Sequence, residues 1–251
     1  MRIAFRFTLI PFVATVLVAA LGIALGNWQE RRAAEKLALQ AQLAQGAAAA
    51  PLQLDGRPLA PAAVAFRRVR VQGRFVQDWP LYLDNRPYQG RAGFYVLMPF
   101  RIAGTASHVL VVRGWLPRDP VQRDRLPAYA TPAGTVTLDG VARLNAGHVM
   151  QLGAAPALRP GAIVQNADAA QVAADSGLAL APFIVEQTGA AGPDDAALVR
   201  DWPAPALGVD KHRGYAFQWY ALAAMAIIFF AWNGYRRGKG SGQSNGQSNG
   251  Q

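Results

Sequence analysis

The sequence predicts a membrane protein in which two transmembrane α-helices, one near each end, flank a β-rich extracytoplasmic domain. That domain is expected to be an antiparallel barrel or sandwich with one short helix. Three observations predict this class. No charged residue occurs from Phe7 to Gln29 or from Gly214 to Tyr235, and each run reaches the roughly 20 apolar residues that cross a bilayer core as helix. All 15 carboxylates lie between those runs. Short β-branched and aromatic runs, separated by turn residues, recur through the middle of the chain.

The first span is placed at residues 7–27. A cleaved signal peptide is its rival, because Arg2 and Arg6 precede it and Ala19, Ala20 and Gly22 lie near its end. A secretory apolar core is usually only about 7 to 15 residues, which favours a retained span. Residues 28–46 are rich in Ala, Leu, Glu, Gln, Arg and Lys, and are expected to extend the helix outward until Gly46 and Pro51 stop it.

The domain is placed at residues 47–211. Strands are expected at Phe66–Phe75, Leu81–Leu83, Gly93–Phe100, Val109–Leu116, Thr135–Leu144 and Phe183–Gln187, and a short helix at Asp168–Ser176. Val69, Val71 and Gly73 alternate with Arg68, Arg70 and Arg74, as a strand with one packed and one wet face requires. Gly73 and Gly114 interrupt strand patterns, where a missing side chain permits a bulge or a close backbone approach. Arg113 and Trp115, flanking Gly114, are expected on one strand face.

The second span is placed at residues 214–235, with Tyr215, Trp219, Tyr220, Trp232 and Tyr235 towards its ends like interfacial aromatic belts. A buried core helix is its rival reading. Residues 238–251 repeat Gly, Ser, Gln and Asn and are expected to form a disordered cytoplasmic tail.

Arg2 and Arg6 before the first span, and Arg236, Arg237 and Lys239 after the second, point to cytoplasmic termini against Arg31, Arg32, Lys36, Lys211 and Arg213 on the other side; two spans put both termini on one side, and a long domain translocates largely regardless of its charge. The expected location is the bacterial inner membrane, multi-pass, with the main domain periplasmic. The chain has no cysteine, which excludes disulfides, thiolate catalysis and cysteine-ligated metal sites. Its net charge is +10, and half of that comes from the five basic residues outside Asn27–Arg213. Anionic membrane lipid is therefore the expected partner, and no nucleic acid.

No nucleophile elbow, metalloprotease helix, P-loop or dinucleotide-binding glycine pattern occurs. His108 and His148 stand at the edges of expected elements, and Asp194-Asp195 falls in a Gly/Pro-rich loop; structural and solvated roles are expected for them. The domain is read as a binding or scaffolding module, not an enzyme. His212 stands at the outer mouth of the second span and, at i, i+3 and i+7, shares a helix face with Tyr215 and Trp219. An imidazole beside aromatic rings at a membrane boundary suits axial ligation of haem iron. Haem propionates would want cations at that level, and Arg31, Arg32, Lys36, Lys211 and Arg213 lie near it in sequence. A histidine that merely sits at the interface is the bland alternative. Gly22 and Gly26 have the GxxxG spacing that lets a partner helix approach closely.

Leu25–Lys36 (LGNWQERRAAEK), Leu83–Phe100 (LDNRPYQGRAGFYVLMPF), Val111–Pro117 (VVRGWLP) and Val209–Tyr220 (VDKHRGYAFQWY) resemble, in order, the signature blocks of the surfeit locus protein one family. The resemblance covers about residues 7 to 237. It implies an assembly factor for haem-copper cytochrome c oxidase, with the oxidase catalytic subunit and the haem a synthesis machinery as partners. For bacterial members it also implies binding of haem a and its delivery. The family's proposed haem-ligating histidine maps onto His212, and the tyrosine after it onto Tyr215. Asp210-Lys211 departs from the asparagine-like residues usual before that histidine. A cofactor-free scaffold stabilising an oxidase subunit intermediate is the alternative. A copper carrier would need Cys or clustered Met, and Met1, Met98, Met150 and Met225 are widely separated.

Overall fold

In a computed structural model the described residues are 5–122, 125–151, 153, 157–189, 197–202 and 208–243, with 239–243 described as backbone alone. They form two compact units, one built on residues up to Ala41 together with the C-terminal helix, the other within 42–204.

The first unit is helical. Helix α1 (Leu9–Ala48) runs unbroken through the expected extension, and its last residues enter the second unit; helix α4 spans Val209–Gln243. Both are long and apolar enough to cross a membrane. In their most apolar stretches only 17% of α1 and 11% of α4 is buried, which rules out the core-helix alternative for the second span. Ile10, Leu17, Phe217, Ile228 and Phe229 are among the exposed apolar side chains. Water offers such surfaces nothing, whereas lipid does.

The helices run antiparallel. Ala19, Gly22, Gly26 and Ala33 lie at i, i+3, i+7 and i+14 on α1, and Ala216 and Ala223 at i, i+7 on α4; all are buried. A Cβ on Gly22 would stand 2.8 Å from the Trp219 carbonyl oxygen, and one on Gly26 would overlap the Tyr220 ring. The GxxxG spacing is therefore used inside the chain, with α4 as the helix that approaches. Phe5, Phe7 and Phe12 cluster around Phe230 at the other end, with ring centroids 5.7–6.2 Å from it. Helix α4 continues eight residues past the 235 limit expected for the span. Extending an existing helix costs far less than starting one, even through glycines. The remaining tail, 244–251, lies outside the described residues.

The second unit is β-rich. Its strands are β1 (Leu52–Leu54), β2 (Arg68–Phe75), β3 (Leu81–Leu83), β4 (Gly93–Ile102), β5 (His108–Pro117), β6 (Val136–Arg143), β7 (Ile163–Val164) and β8 (Leu180–Gln187). Helix α2 (Pro61–Val64) precedes β2, and α3 (Ala169–Ser176) precedes β8. Strand β2 pairs with both β6 and β4, so the order β2–β6–β8–β5–β4 closes into a barrel. Most described pairs are antiparallel; β1–β2, β3–β7 and β5–β8 are parallel.

The arginine face of β2 is exposed and its valine face buried, residue by residue, as the alternation predicts. Arg70 of that face forms an exposed ion pair with Asp139 across the ladder, at 2.7 Å. Strands β4 and β5 are buried almost throughout. One face packs on the inner cluster, which includes Val71, Phe94, Phe100, Val111 and Leu138. The other packs on a second cluster, where Ala169 and Val172 of α3 cover Leu97, Leu110 and Ile184. Helix α3 is stopped on both sides by local chemistry. The Asp168 side chain accepts from the Gln171 N–H at 2.7 Å, and Gly177 adopts the left-handed φ of 71° at the C-cap.

Arg113 and Trp115 do not share a face. The β4–β5 register jumps at Val96/Leu97, so that Val96 faces Gly114 and Leu97 faces Val112, leaving Arg113 as the extra residue of a bulge. Arg113 turns inward, over the Phe75 ring at 4.5 Å, and donates to Thr131 Oγ1 at 2.6 Å. Leu116, not Trp115, joins it in the inner cluster. Trp115 instead lies against Tyr88, with ring centroids 5.2 Å apart, and donates to the Arg86 carbonyl at 2.6 Å.

Candidate functional site

The helical unit brings His212 to Gln29. His212 lies in the first turn of α4, and its Nδ1 is 2.7 Å from Gln29 Oε1 on α1, 183 residues away in sequence. The two meet because each belongs to a stripe that faces the other helix. Gly22, Gly26 and Gln29 are spaced i, i+4 and i+7, and so are His212, Ala216 and Trp219. A second bond, from Tyr220 Oη to Asn27 Oδ1 at 2.7 Å, ties the same end of the hairpin. Register is thus fixed twice within about two turns.

With Oε1 as acceptor, Nδ1 is the donor, so that in the neutral ring the lone pair is the one on Nε2. His212 and Trp219 are half-buried, and Tyr215 is 53% exposed. Tyr215 lies at the edge of the stripe, since i+3 falls about 60° round the helix from His212. Arg32 lies a similar angle from Gln29, forms an exposed ion pair with Glu35 at 2.9 Å, and stands 5.9 Å from the Trp28 ring centroid. Arg31 is exposed and about 160° round α1 from Gln29. Among the described residues no three His, Cys, Asp or Glu side chains converge on a metal position. A single imidazole beside aromatic rings fits the axial ligation of a haem, whose porphyrin supplies the other iron ligands; it does not fit a bare ion.

Gln29 escapes a sequence search for ligands, because a helical glutamine carries no titratable or metal-binding signal. Its spacing from Gly22 and Gly26, and its place in the Trp28-Gln29 pair of the Leu25–Lys36 block, were the available clues. The remaining sequence candidates lie elsewhere. His108 is 8% exposed, begins β5 and lines a cleft of about 200 Å³ with Leu54, Ile102, Val109 and Phe183. Burial pushes its imidazole below the ordinary value, partly opposed by the Ala179 and Ala106 carbonyls, and its Nδ1 has no hydrogen-bond partner. His148 falls in the loop after β6. Asp194-Asp195 lies outside the described residues.

The SURF1 family model matches residues 16–224. Surfeit locus protein 1 of Rattus norvegicus is 30% identical over 142 residues, 51% of this chain and 46% of the relative. Surfeit locus protein 1 of Homo sapiens is 28% identical over 145 residues, 52% of this chain and 48% of the relative. A SURF1-like protein of Drosophila melanogaster is 29% identical over 128 residues, 45% and 43% of the respective chains. The chain spans about half the length of the curated relatives it matches.

Proposed function

The chain belongs to the SURF1 family, and from that premise we propose that it is a membrane-anchored, non-catalytic assembly factor for haem-copper cytochrome c oxidase. In this reading it binds haem a as cargo and assists its insertion into the oxidase catalytic subunit, receiving the haem from the machinery that makes it. The supporting observation is the His212 Nδ1–Gln29 Oε1 contact at 2.7 Å; with the amide oxygen accepting, the neutral ring would offer Nε2 to the iron. Tyr215 and Trp219 would flank the porphyrin. Arg32 would serve a propionate, exchanging an exposed pair with Glu35 that is worth only about 0–1 kcal/mol, whereas Arg31, on the opposite face of α1 from Gln29, would point away from it. The reading places the protein in a bacterial inner membrane, with both termini cytoplasmic and the β-rich domain periplasmic.

The test is co-expression with haem a synthesis, purification in detergent, and a pyridine haemochrome spectrum beside His212→Ala. Wild type should carry haem, and the variant should lose most of it, by roughly 10-fold or more, since losing a ligand costs at least what losing its outer-shell partner does. Equal haem in the two rejects the ligand assignment and leaves the cofactor-free scaffold. Deleting the gene should lower the level of haem a-containing oxidase, and an unchanged level rejects both readings.

A further inference from the structure

We propose that Gln29 is the positioning residue of His212: its side-chain carbonyl fixes the imidazole tautomer and ring orientation, so that Nε2 is the atom offered to a haem iron. The inference rests on the haem-binding reading for its purpose, but its geometric half stands on the apoprotein. Metal-ligating imidazoles are held by a hydrogen bond at the other ring nitrogen. In this chain the partner comes from the opposite helix, at 2.7 Å. Left alone in water, a neutral imidazole exchanges its hydrogen between the two nitrogens and its ring turns about χ2. The Gln29 carbonyl removes both freedoms in one bond.

The helix pair is built to deliver that carbonyl. Gly22 and Gly26 permit close approach, Tyr220 Oη holds Asn27 two residues before Gln29, and Gln29 continues the glycine stripe. The choice of an amide also matters chemically. A carboxylate at this position would draw the Nδ1 hydrogen and raise the basicity of Nε2, tightening its hold on iron. An amide carbonyl orients the ring with a smaller increase, which suits a protein that must release its cargo.

The experiment has an apoprotein arm and a loaded arm. In the apoprotein, 15N chemical shifts of a histidine-labelled chain in detergent should show His212 with hydrogen on Nδ1, and Gln29→Met should give a mixture of tautomers. A wild-type ring protonated on Nε2, or one unaffected by Gln29→Met, overturns the inference without reference to haem. In the loaded arm, Gln29→Met should weaken haem retention roughly 10-fold. Gln29→Glu should restore retention and lower the haem midpoint potential. Haem retained equally by wild type and Gln29→Met, but lost in His212→Ala, sinks the positioning role and spares the haem reading. Haem retained equally by wild type and His212→Ala sinks the haem reading, and the 15N arm still decides the Gln29 contact. Should either Gln29 variant fail to fold, the wild-type tautomer decides alone.

Discussion

At His108, burial and the nearby positive charge of Arg101 hold the imidazole below its ordinary value, which gives a pH response of definite sign. A histidine that is harder to protonate folded than unfolded imposes no penalty above the unfolded value of about 6.5. Below it the unfolded chain takes up a proton that the folded chain resists, so stability falls with pH until the folded value is passed. The full chain in detergent should therefore lose thermal stability between about pH 7 and about 5, and His108→Gln should flatten that slope. Asp55, Asp119 and Asp139, whose carboxyls are held low by hydrogen bonds from Arg57, Gln122 and Arg70 in turn, act in a separate window. Their stabilisation is present above the unfolded carboxylate value of about 3.9 and is lost below it. Identical slopes in wild type and His108→Gln between pH 7 and pH 5 would show that another group governs that window. Arg113 shows what a residue-level reading of sequence cannot reach. Alternation puts it beside Trp115, and a single bulge reverses that; the bulge follows from β4–β5 pairing, which no local pattern encodes.

Elements were legible where a period could be counted. Six of the strands and α3 announce themselves by alternation, β-branched runs and caps. Strands β1 (Leu-Gln-Leu) and β7 (Ile-Val) lack the aromatic residue that marks the equally short β3 (Leu-Tyr-Leu), and the four-residue helix α2 is too short to show a period. The parallel β5–β8 pairing is likewise set by closure of the barrel, not by either strand. In the helical unit the Gly22/Gly26 spacing was legible, but its partner was not, because a small-residue stripe does not say which helix will cover it. The structure assigns α4, and that has a consequence. Gly26→Leu forces the Tyr220 ring away and breaks its bond to Asn27, an overpacking cost of about 1–3 kcal/mol. Because the chain has no cysteine, spin labels can be placed on cysteines introduced at the exposed positions Leu21 and Leu222. Their distance distribution should be narrow in an otherwise native chain and broader and longer with Gly26→Leu. An unchanged distribution would mean that the glycine face is not what holds the helices together.

For the whole molecule, charge and hydropathy give opposite impressions that topology reconciles. The segment from Asn27 to Arg213 carries 20 basic and 15 acidic residues, a net +5, and the ends carry the other five positive charges. A positive domain outside the cytoplasm would offend the positive-inside rule if the rule applied to it. It applies to short loops and to the 15–20 or so residues beside a span, and long domains translocate largely regardless of charge. In the proposed topology Arg2, Arg6, Arg236, Arg237 and Lys239 flank the spans on the cytoplasmic side and Arg31, Arg32, Lys36, Lys211 and Arg213 on the domain side, so protease mapping, not the charge count, decides the orientation. Exposed Arg125 in the β5–β6 loop, followed by Leu126, supplies a tryptic site in the domain. Trypsin added to intact spheroplasts should cut there and leave both terminal flanks protected. In inverted vesicles the protection should reverse. Cutting of the domain only in inverted vesicles would place His212 on the cytoplasmic side, and the proposed haem site would then face the wrong compartment for oxidase assembly from outside.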